Sequence, residues 1–335
     1  MTFFGLDIGS DNLKAIQLER KEGKLRIVSA GLAKISGLGI SSEAEKDLIS
    51  LAESIKKLKS DTGIITDGVV CSLPESAVFT RVIDLPSMTE EEVGQALKWE
   101  LEEIVPIPLA EANFDWQIVK KDQSKISVLV AVSPTILINK YLHLLELAQL
   151  QPVALETEVL AVVRSLAFVA PGKTKLIIDI GARSTNIVVA KDEEIFLTRS
   201  LPSAGKALTR SIATKLGLEE EVAEEYKKNY GLAENQLENQ VSSAISPILE
   251  SVIEEIQKSI GFVKNEKKEK VELLVLSGGS AGLPGISELI TSKIGIEIQL
   301  ANPFSQLTYD EKLTPSLVKI APSFVVPVGL AMREI

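Results

Sequence analysis

Two copies of one short pattern carry the chemistry this chain can do. Phe4-Gly5-Leu6-Asp7-Ile8-Gly9-Ser10 near the start returns as Leu176-Ile177-Ile178-Asp179-Ile180-Gly181-Ala182 in the second half. Each copy is an apolar run ending in Asp-Ile-Gly, and each precedes a second apolar run, Leu13 to Leu18 and Ile187 to Ala190. Two strands joined by a turn are therefore written twice. A glycine-containing turn can offer backbone N–H groups to an anion. An aspartate at the strand end can hold a hydrated Mg²⁺ against that anion. Two such turns facing each other make a clamp for a nucleotide polyphosphate.

The elements that must position these residues read as alternating α/β text. Residues 2–8, 13–19 and 24–33 are three consecutive strands, broken by Ser10-Asp11-Asn12 and Lys21-Glu22-Gly23. A helix over 42–59 carries Leu48, Leu51, Ile55 and Leu58 on one face, and a strand follows at 68–73.

From about 75 to 152 the texture changes. Val78 to Leu85 is a strand ending at Pro86, and Thr89 and Glu92 have capping-box spacing before a helix with Val93, Leu97, Leu101 and Ile104. Phe114 to Val119 and Ile126 to Val132 form a hairpin, and Pro134 opens a helix with Tyr141, Leu144 and Leu145. This stretch suffices for a small α/β subdomain inserted into the first half. His143 on its last helix has no Cys or other His nearby, so it reads as a helix-flank histidine. Trp99 and Trp116 read as core, with a partner-facing anchor as the alternative.

The chain then returns through a short strand and the helix 159–168. The second hairpin occupies 174–190, with a third strand at 194–200 and helices near 205–216, 219–229 and 240–264. The charged run Asn265 to Lys270 reads as a solvated loop. Val271 to Leu276 is a buried strand, and Ser277-Gly278-Gly279 leads through further glycines into a helix at 286–293. A Gly-rich turn between strand and helix lets a flat ligand approach the backbone closely.

Bulk properties narrow the class. With 335 residues, 45% of them hydrophobic, the chain can bury two domain-sized cores, which makes a cleft between halves feasible. A formal charge of −10 argues against nucleic acid as a bulk partner. The lone Cys71 reads as a small buried hydrophobe. The N-terminus lacks the pattern of a secretory signal. The apolar run Phe324 to Val328 with Gly329-Leu330-Ala331 falls short of the roughly 20 residues a bilayer span needs. The expectation is a soluble, cytoplasmic protein.

Asp7-Ile8-Gly9-Ser10 with Leu13-Lys14, then Asp179-Ile180-Gly181, then Ser277-Gly278-Gly279 resemble the phosphate 1, phosphate 2 and adenosine motifs of the actin/Hsp70/sugar-kinase superfamily. More specifically, the chain is similar throughout to the PilM family of type IV pilus assembly proteins, relatives of FtsA. Leu73-Pro74 to Leu85-Pro86, the helix from Glu92 to Pro106-Ile107-Pro108, and Ala223 to Lys227 ahead of Gly231 carry that closer match. The resemblance implies an actin-like, two-lobed α/β fold with an inserted α/β subdomain in the first lobe. Residues 1–74 and 153–172 would form the first lobe, 75–152 the insert, 173–204 and 269–335 the second lobe, and 205–268 a helical subdomain.

The same resemblance implies ATP with Mg²⁺ in the interdomain cleft. Gly9 and Ser10 would donate to the phosphates, with the Lys14 ammonium against them. Asp7 and Asp179 would hold the hydrated metal. Gly181 and Ser184 would cradle the phosphates from the second side, while Gly278 and Gly279 would pass beneath the adenosine. Glu224 and Lys227 match nucleoside-contacting positions, or form an i,i+3 surface ion pair. Pro202-Ser203-Ala204-Gly205 departs from the Gly-Gly pair of many relatives, which puts a phosphate contact at 204 in doubt and leaves Gly205 as the candidate. Arg183 reaches a phosphate or points to solvent. Glu156 and Glu158, at the start of the helix 159–168, are candidates for orienting water, or carboxylates favoured by the helix dipole.

Partner and location also follow from the resemblance. The N-terminal cytoplasmic tail of PilN would lie in a groove between the first lobe and the insert, holding the protein at the inner membrane. The end of the chain, Val328 to Ile335, shows no basic amphipathic helix of the kind FtsA uses as an anchor. Three functions stay open: an ATP-binding adaptor with at most slow hydrolysis, an FtsA-like filament former of cell division, and a sugar-type kinase. The last lacks a convincing base, since Asp84, Asp115 and Asp122 read as strand-end or loop residues.

Overall fold

The apolar stretches at the start fold as β1 (Phe4–Ile8), β2 (Asn12–Lys21) and β3 (Lys24–Lys34), an antiparallel meander. The computed structural model describes residues 2–233 and 239–334. α1 (Glu45–Thr62) buries Leu48, Leu51, Ile55 and Leu58, the face its spacing predicts. It starts at Glu45 and not at 42, because the Ser42 hydroxyl takes the Ala44 N–H and bonds Asp47, capping the turn ahead of the helix. β4 (Gly68–Leu73) then lies parallel to β1.

β5 (Phe79–Pro86), α2 (Glu90–Ile104), β6 (Ala112–Lys121), β7 (Lys125–Pro134) and α3 (Thr135–Leu147) come next, followed by β8 (Gln151–Thr157) and α4 (Glu158–Leu166). Two sheets result, in the orders β3-β2-β1-β4-β8 and β5-β7-β6. The smaller sheet has its own core. Val93, Leu97 and Leu101 of α2 pack there with Ile83, Leu85, Ile126, Val128, Val130 and Val132. Both reciprocal bonds of the Thr89–Glu92 capping box are present.

Chain order groups α3 with this insert, but packing does not. Tyr141, Leu144 and Leu145 sit in the core of the larger sheet with Leu6, Leu13, Ile55 and Cys71. On its outer side His143 bonds Glu45 of α1 at 2.9 Å, which raises the pKa of the exposed imidazole. The core reading holds for Trp116, which packs against the insert core, and fails for Trp99, which is 75% exposed on α2. Cys71 is buried, as expected, and burial reinforced by the Asp7 charge pushes its thiol up.

The second sheet repeats the first. β9 (Thr174–Ile180), β10 (Thr185–Lys191) and β11 (Glu194–Leu201) form a meander. α5 (Gly205–Leu216), α6 (Glu220–Tyr230) and α7 (Gln240–Phe262) lead to β12 (Leu273–Ser277), parallel to β9; α8 (Ile286–Ile294) and β13 (Ile298–Leu300) follow. The order is β11-β10-β9-β12-β13, position for position the order of the first sheet. The charged run read as a loop is partly helical: Val263–Lys267 winds into a π-turn anchored by buried Val263 and ended by Lys268 in the left-handed region.

Lys175, hidden in an apolar strand, is buried and points its ammonium at the carbonyls of Leu166, Ala167 and Val169 at 3.2, 3.1 and 2.8 Å. It caps the end of α4 with a cation, as a helix C-terminus favours. Burial lowers its pKa, opposed by Asp192.

α9 (Thr314–Ile320) and α10 (Val325–Ala331) belong to the one segment, Glu311–Ala331, that has the length and composition to cross a membrane among the described residues. The sequence reading counted only its uninterrupted apolar run. Pro315, Pro322 and Pro327 break the segment, and Leu317, Phe324, Val325 and Val328 are buried in the protein, as in a soluble core helix. Its end groups by packing with the first sheet: the chain divides into Met1–Arg164, Glu193–Thr198 and Val326–Ile335, and a second unit of Ser165–Asp192 and Arg199–Val325. The sequence reading had placed all of 269–335 with the second half. Two glycines make the regrouping possible. A Cβ on Gly5 would fall 2.3 Å from Pro327 O, and one on Gly329 would fall 1.9 Å from Ala161 O. Ile335 lies outside the described residues.

Glu75, in the turn after β4, is buried with Oε2 lacking a hydrogen-bond partner. Burial lifts its carboxyl from 4.5 to about 7, opposed by the nearby Thr80 hydroxyl and Val159 backbone. A raised pKa means the folded state holds this proton more tightly. The stabilisation is full below the unfolded value and is lost as pH rises through about 7. Urea titrations should show stability falling between pH 5 and 8 by up to about 3 kcal/mol from this group, and Glu75→Gln should flatten that slope. Gly329→Ala should cost about 1–3 kcal/mol in the same measurement, since its contact is backbone against backbone.

Candidate functional site

The first hairpin presents its residues through strand register. Asp7 on β1 lies directly across from Lys14 on β2. The Lys14 ammonium meets Asp7 Oδ2 at 2.7 Å, and the Ser72 hydroxyl on β4 donates to Oδ1 at 3.1 Å. Asp7 is 4% exposed, so both contacts act in a largely dry setting. The turn closes by Gly9 N–H on Asn12 O at 3.1 Å.

The second hairpin repeats this construction within its own unit. Gly181 N–H bonds Ser184 O at 3.0 Å. Asp179 accepts from Ser277 at 2.8 Å, and Ser277 stands beside it on the parallel strand β12. The copies differ at one position: opposite Asp179 the register places Asn186, not a lysine. In both copies the glycine N–H expected to donate to phosphate is taken inside the turn. Gly9 and Gly181 therefore shape the hairpins. Arg183 lies exposed on the second turn.

Gly205 needs a similar correction. Its N–H bonds Gly181 O at 3.0 Å and the next, Lys206 N–H, bonds Ala182 O at 2.8 Å, so the start of α5 ties down the hairpin instead of offering those donors. A Cβ on Gly205 would lie 2.7 Å from Ser280 Oγ, which is why the backbone can pack there. Around it, buried Lys227 bonds Gly205 O at 3.0 Å, Thr209 at 2.9 Å and Glu224 at 2.6 Å. Burial pushes the Glu224 carboxyl up, but the Lys227 and Thr209 bonds outweigh it and the pKa is lowered. Glu224 and Lys227 are therefore no surface pair; they belong to a network on the helix faces of α5 and α6.

The loop after β12 joins this network. Gly278 has φ 92°, and a Cβ there would lie 2.4 Å from Ile180 O, so only glycine fits. A Cβ on Gly279 would meet nothing within 4 Å. The loop thus packs one side on β9 and leaves open backbone on the other. That shape fits a flat ring laid against the chain. Gly181, Gly205, Glu224, Lys227 and Gly278 are brought together in this unit, as are Asp7, Gly9 and Lys14 in the other.

Glu156 and Glu158 are not brought to such a setting. Glu156 lies within β8 instead of opening a helix, so the dipole argument does not reach it. It is buried, with Arg164 Nη1 at 2.8 Å, at ion-pair distance but outside hydrogen-bond geometry, and Arg333 bonded to Oε2. Arg164 also donates to Gly329 O at 2.8 Å. The carboxylate clamps the end of the chain. Glu158 is the first residue of α4, where the dipole favours it. Asp84 pairs with Lys125 at 2.7 Å.

Sequence reasoning missed Ser72, whose partner Asp7 is remote in the chain, and Thr209, which meets Glu224 and Lys227 of the next helix. A weak signal existed for Ser72: it is the lone hydroxyl in Gly68-Val69-Val70-Cys71-Ser72-Leu73, and a buried hydroxyl must find a partner.

Comparison with known proteins agrees with this geometry. A solved structure titled "PilM-PilN type IV pilus biogenesis complex" superposes with a TM-score of 0.89 at 28% identity, covering 99% of this chain and 98% of that one. The ethanolamine utilization protein EutJ from Carboxydothermus hydrogenoformans gives 0.61 at 17%, covering 98% and 88%. MreB5 of Spiroplasma citri bound to ADP gives 0.52 at 14%, covering 98% and 94%. The cell division protein FtsA of Streptococcus pneumoniae serotype 2 (strain D39 / NCTC 7466) is 23% identical over 346 residues, 90% of this chain and 75% of that protein. The fold is actin-like, as its motifs led us to expect. The family model described as "Type IV pilus assembly protein PilM" matches residues 5–335, and the chain belongs to that family.

Proposed function

We propose that the protein is an ATP-binding scaffold of a type IV pilus assembly complex, or of a related secretion or competence machine. The observation that carries this reading is the duplicated hairpin, with a strand-end aspartate that accepts a serine hydroxyl from the neighbouring parallel strand in each copy. Lys14 and Ser10 meet the phosphates from the first hairpin, and Ser184 and the turn around Gly181 from the second. The open backbone at Gly279 takes the adenine ring, and the Glu224–Lys227–Thr209 network holds the nucleoside side. Asp7 and Asp179 hold Mg²⁺ through water, and the ion would neutralise phosphate charge when bound. Support for the ligand includes the related MreB5 fold solved with ADP.

Glu156 is taken by two guanidinium groups in this arrangement and is not left to orient water. ATP acts here as a structural or switching ligand. Lys14→Ala should weaken ATP binding at least about tenfold by calorimetry, since charge-assisted bonds to an anion are worth about 1.5–3 kcal/mol. Unchanged affinity in the folded variant would rule the assignment out.

The partner we propose is the N-terminal cytoplasmic tail of PilN, lying between the first sheet and the insert and tethering the protein to the cytoplasmic face of the inner membrane. The solved complex of a similar chain supports this choice, and the exposed Trp99 gives the insert an aromatic anchor. The alternative, an FtsA-like filament former, rests on relatives 22–24% identical. A PilN-type tail peptide should retain the protein in a pull-down, more strongly with ATP than without. Equal retention would leave a scaffold and remove the switch; none would remove the partner.

A further inference from the structure

Apart from the residues of the hairpins themselves, the duplication extends to a pair of serines. Ser72 is the lone hydroxyl side chain of β4, and Ser277 the lone polar side chain of β12, in strands otherwise apolar and fully buried. They are 2% and 0% exposed. A hydroxyl buried this deeply is costly unless it is bonded. Each has its bond to the same kind of group: Ser72 Oγ donates to Asp7 Oδ1 at 3.1 Å, and Ser277 Oγ to Asp179 Oδ1 at 2.8 Å.

The placement is also equivalent. β4 runs parallel beside β1, with Cys71 paired to Leu6, so Ser72 is next in line beside Asp7. β12 runs parallel beside β9, with Ser277 paired to Asp179. Two segments distant in sequence have thus kept one contact while differing elsewhere, as at Lys14 and Asn186.

We propose that Ser72 and Ser277 are positioning residues for a nucleotide-bound divalent cation. Each donates to Oδ1 of its aspartate and so sets the carboxylate plane, and in the first copy Lys14 holds Oδ2 as well. A carboxylate free to rotate would present either oxygen and lose rotamer freedom on binding; one tethered by a buried hydroxyl is already ordered. The serines act through the aspartates and touch neither nucleotide nor metal.

This rests on the ATP and Mg²⁺ reading above, and the test separates the two. ATP affinity is measured by calorimetry with Mg²⁺ and with EDTA for the full chain, for Ser72→Ala and Ser277→Ala, and for Ser72→Thr and Ser277→Thr, with thermal melts to establish folding. The alanine variants should lose about tenfold in affinity with Mg²⁺, the scale of one bond to a charged group, and stay within about twofold with EDTA. Threonine, which keeps the hydroxyl, should recover most of the Mg²⁺-dependent part. Equal losses in both buffers, or no loss in folded alanine variants, would overturn the positioning role while the nucleotide reading stands. A parent protein that binds no ATP in either buffer would overturn the nucleotide reading and the positioning role with it.

Discussion

A carboxylate buried at the end of a central strand is the constraint from which much of this architecture follows. Asp7 can stay there only with donors on its oxygens, and one of them comes from β4. That strand must therefore lie directly beside β1, and it does so in parallel. Parallel neighbours need a crossover, which α1 supplies. At the half-buried Asp179 the donor comes from β12, which lies beside β9, with the helices α5 to α7 in the longer connection. One serine–aspartate contact, made in each sheet, accompanies two sheets of identical strand order.

Polar groups elsewhere are spent on holding the chain together. Glu156 gathers Arg164 and Arg333 and so secures the closing helix over β1 and α4. Lys227 knits α5 to α6 through Gly205, Thr209 and Glu224. These side chains look chemically active in isolation. In place each is engaged by its neighbours.

What the sequence made legible was local. Alternation and turn residues predicted the two meanders, and the Thr89–Glu92 spacing predicted the start of α2, because both signals lie within a few residues. The Asp-Ile-Gly repeat located both hairpins. Long-range pairing was not legible. Nothing near α3 says that its apolar face belongs to α1 and β4 and not to the strands just before it. Lys175 sits in an apolar strand, and only the folded position of 166–169 explains it. The glycine N–H groups were assigned to a ligand because the sequence could not show that each turn closes on its own carbonyl. Glu156 was misread for the same reason, since its partner Arg333 is 177 residues away.

The two tryptophans of the chain both lie between β5 and β7, one on α2 open to water and one against the small core. Intrinsic tryptophan emission from this protein is therefore a regional signal. Its solvent-shifted component comes from Trp99 and its less polar component from Trp116, while the duplicated sheets, which carry no tryptophan, are silent. Fluorescence followed during denaturation or peptide addition would see the insert alone, and a change in it would mark an event there without implying any change around Asp7 or Asp179.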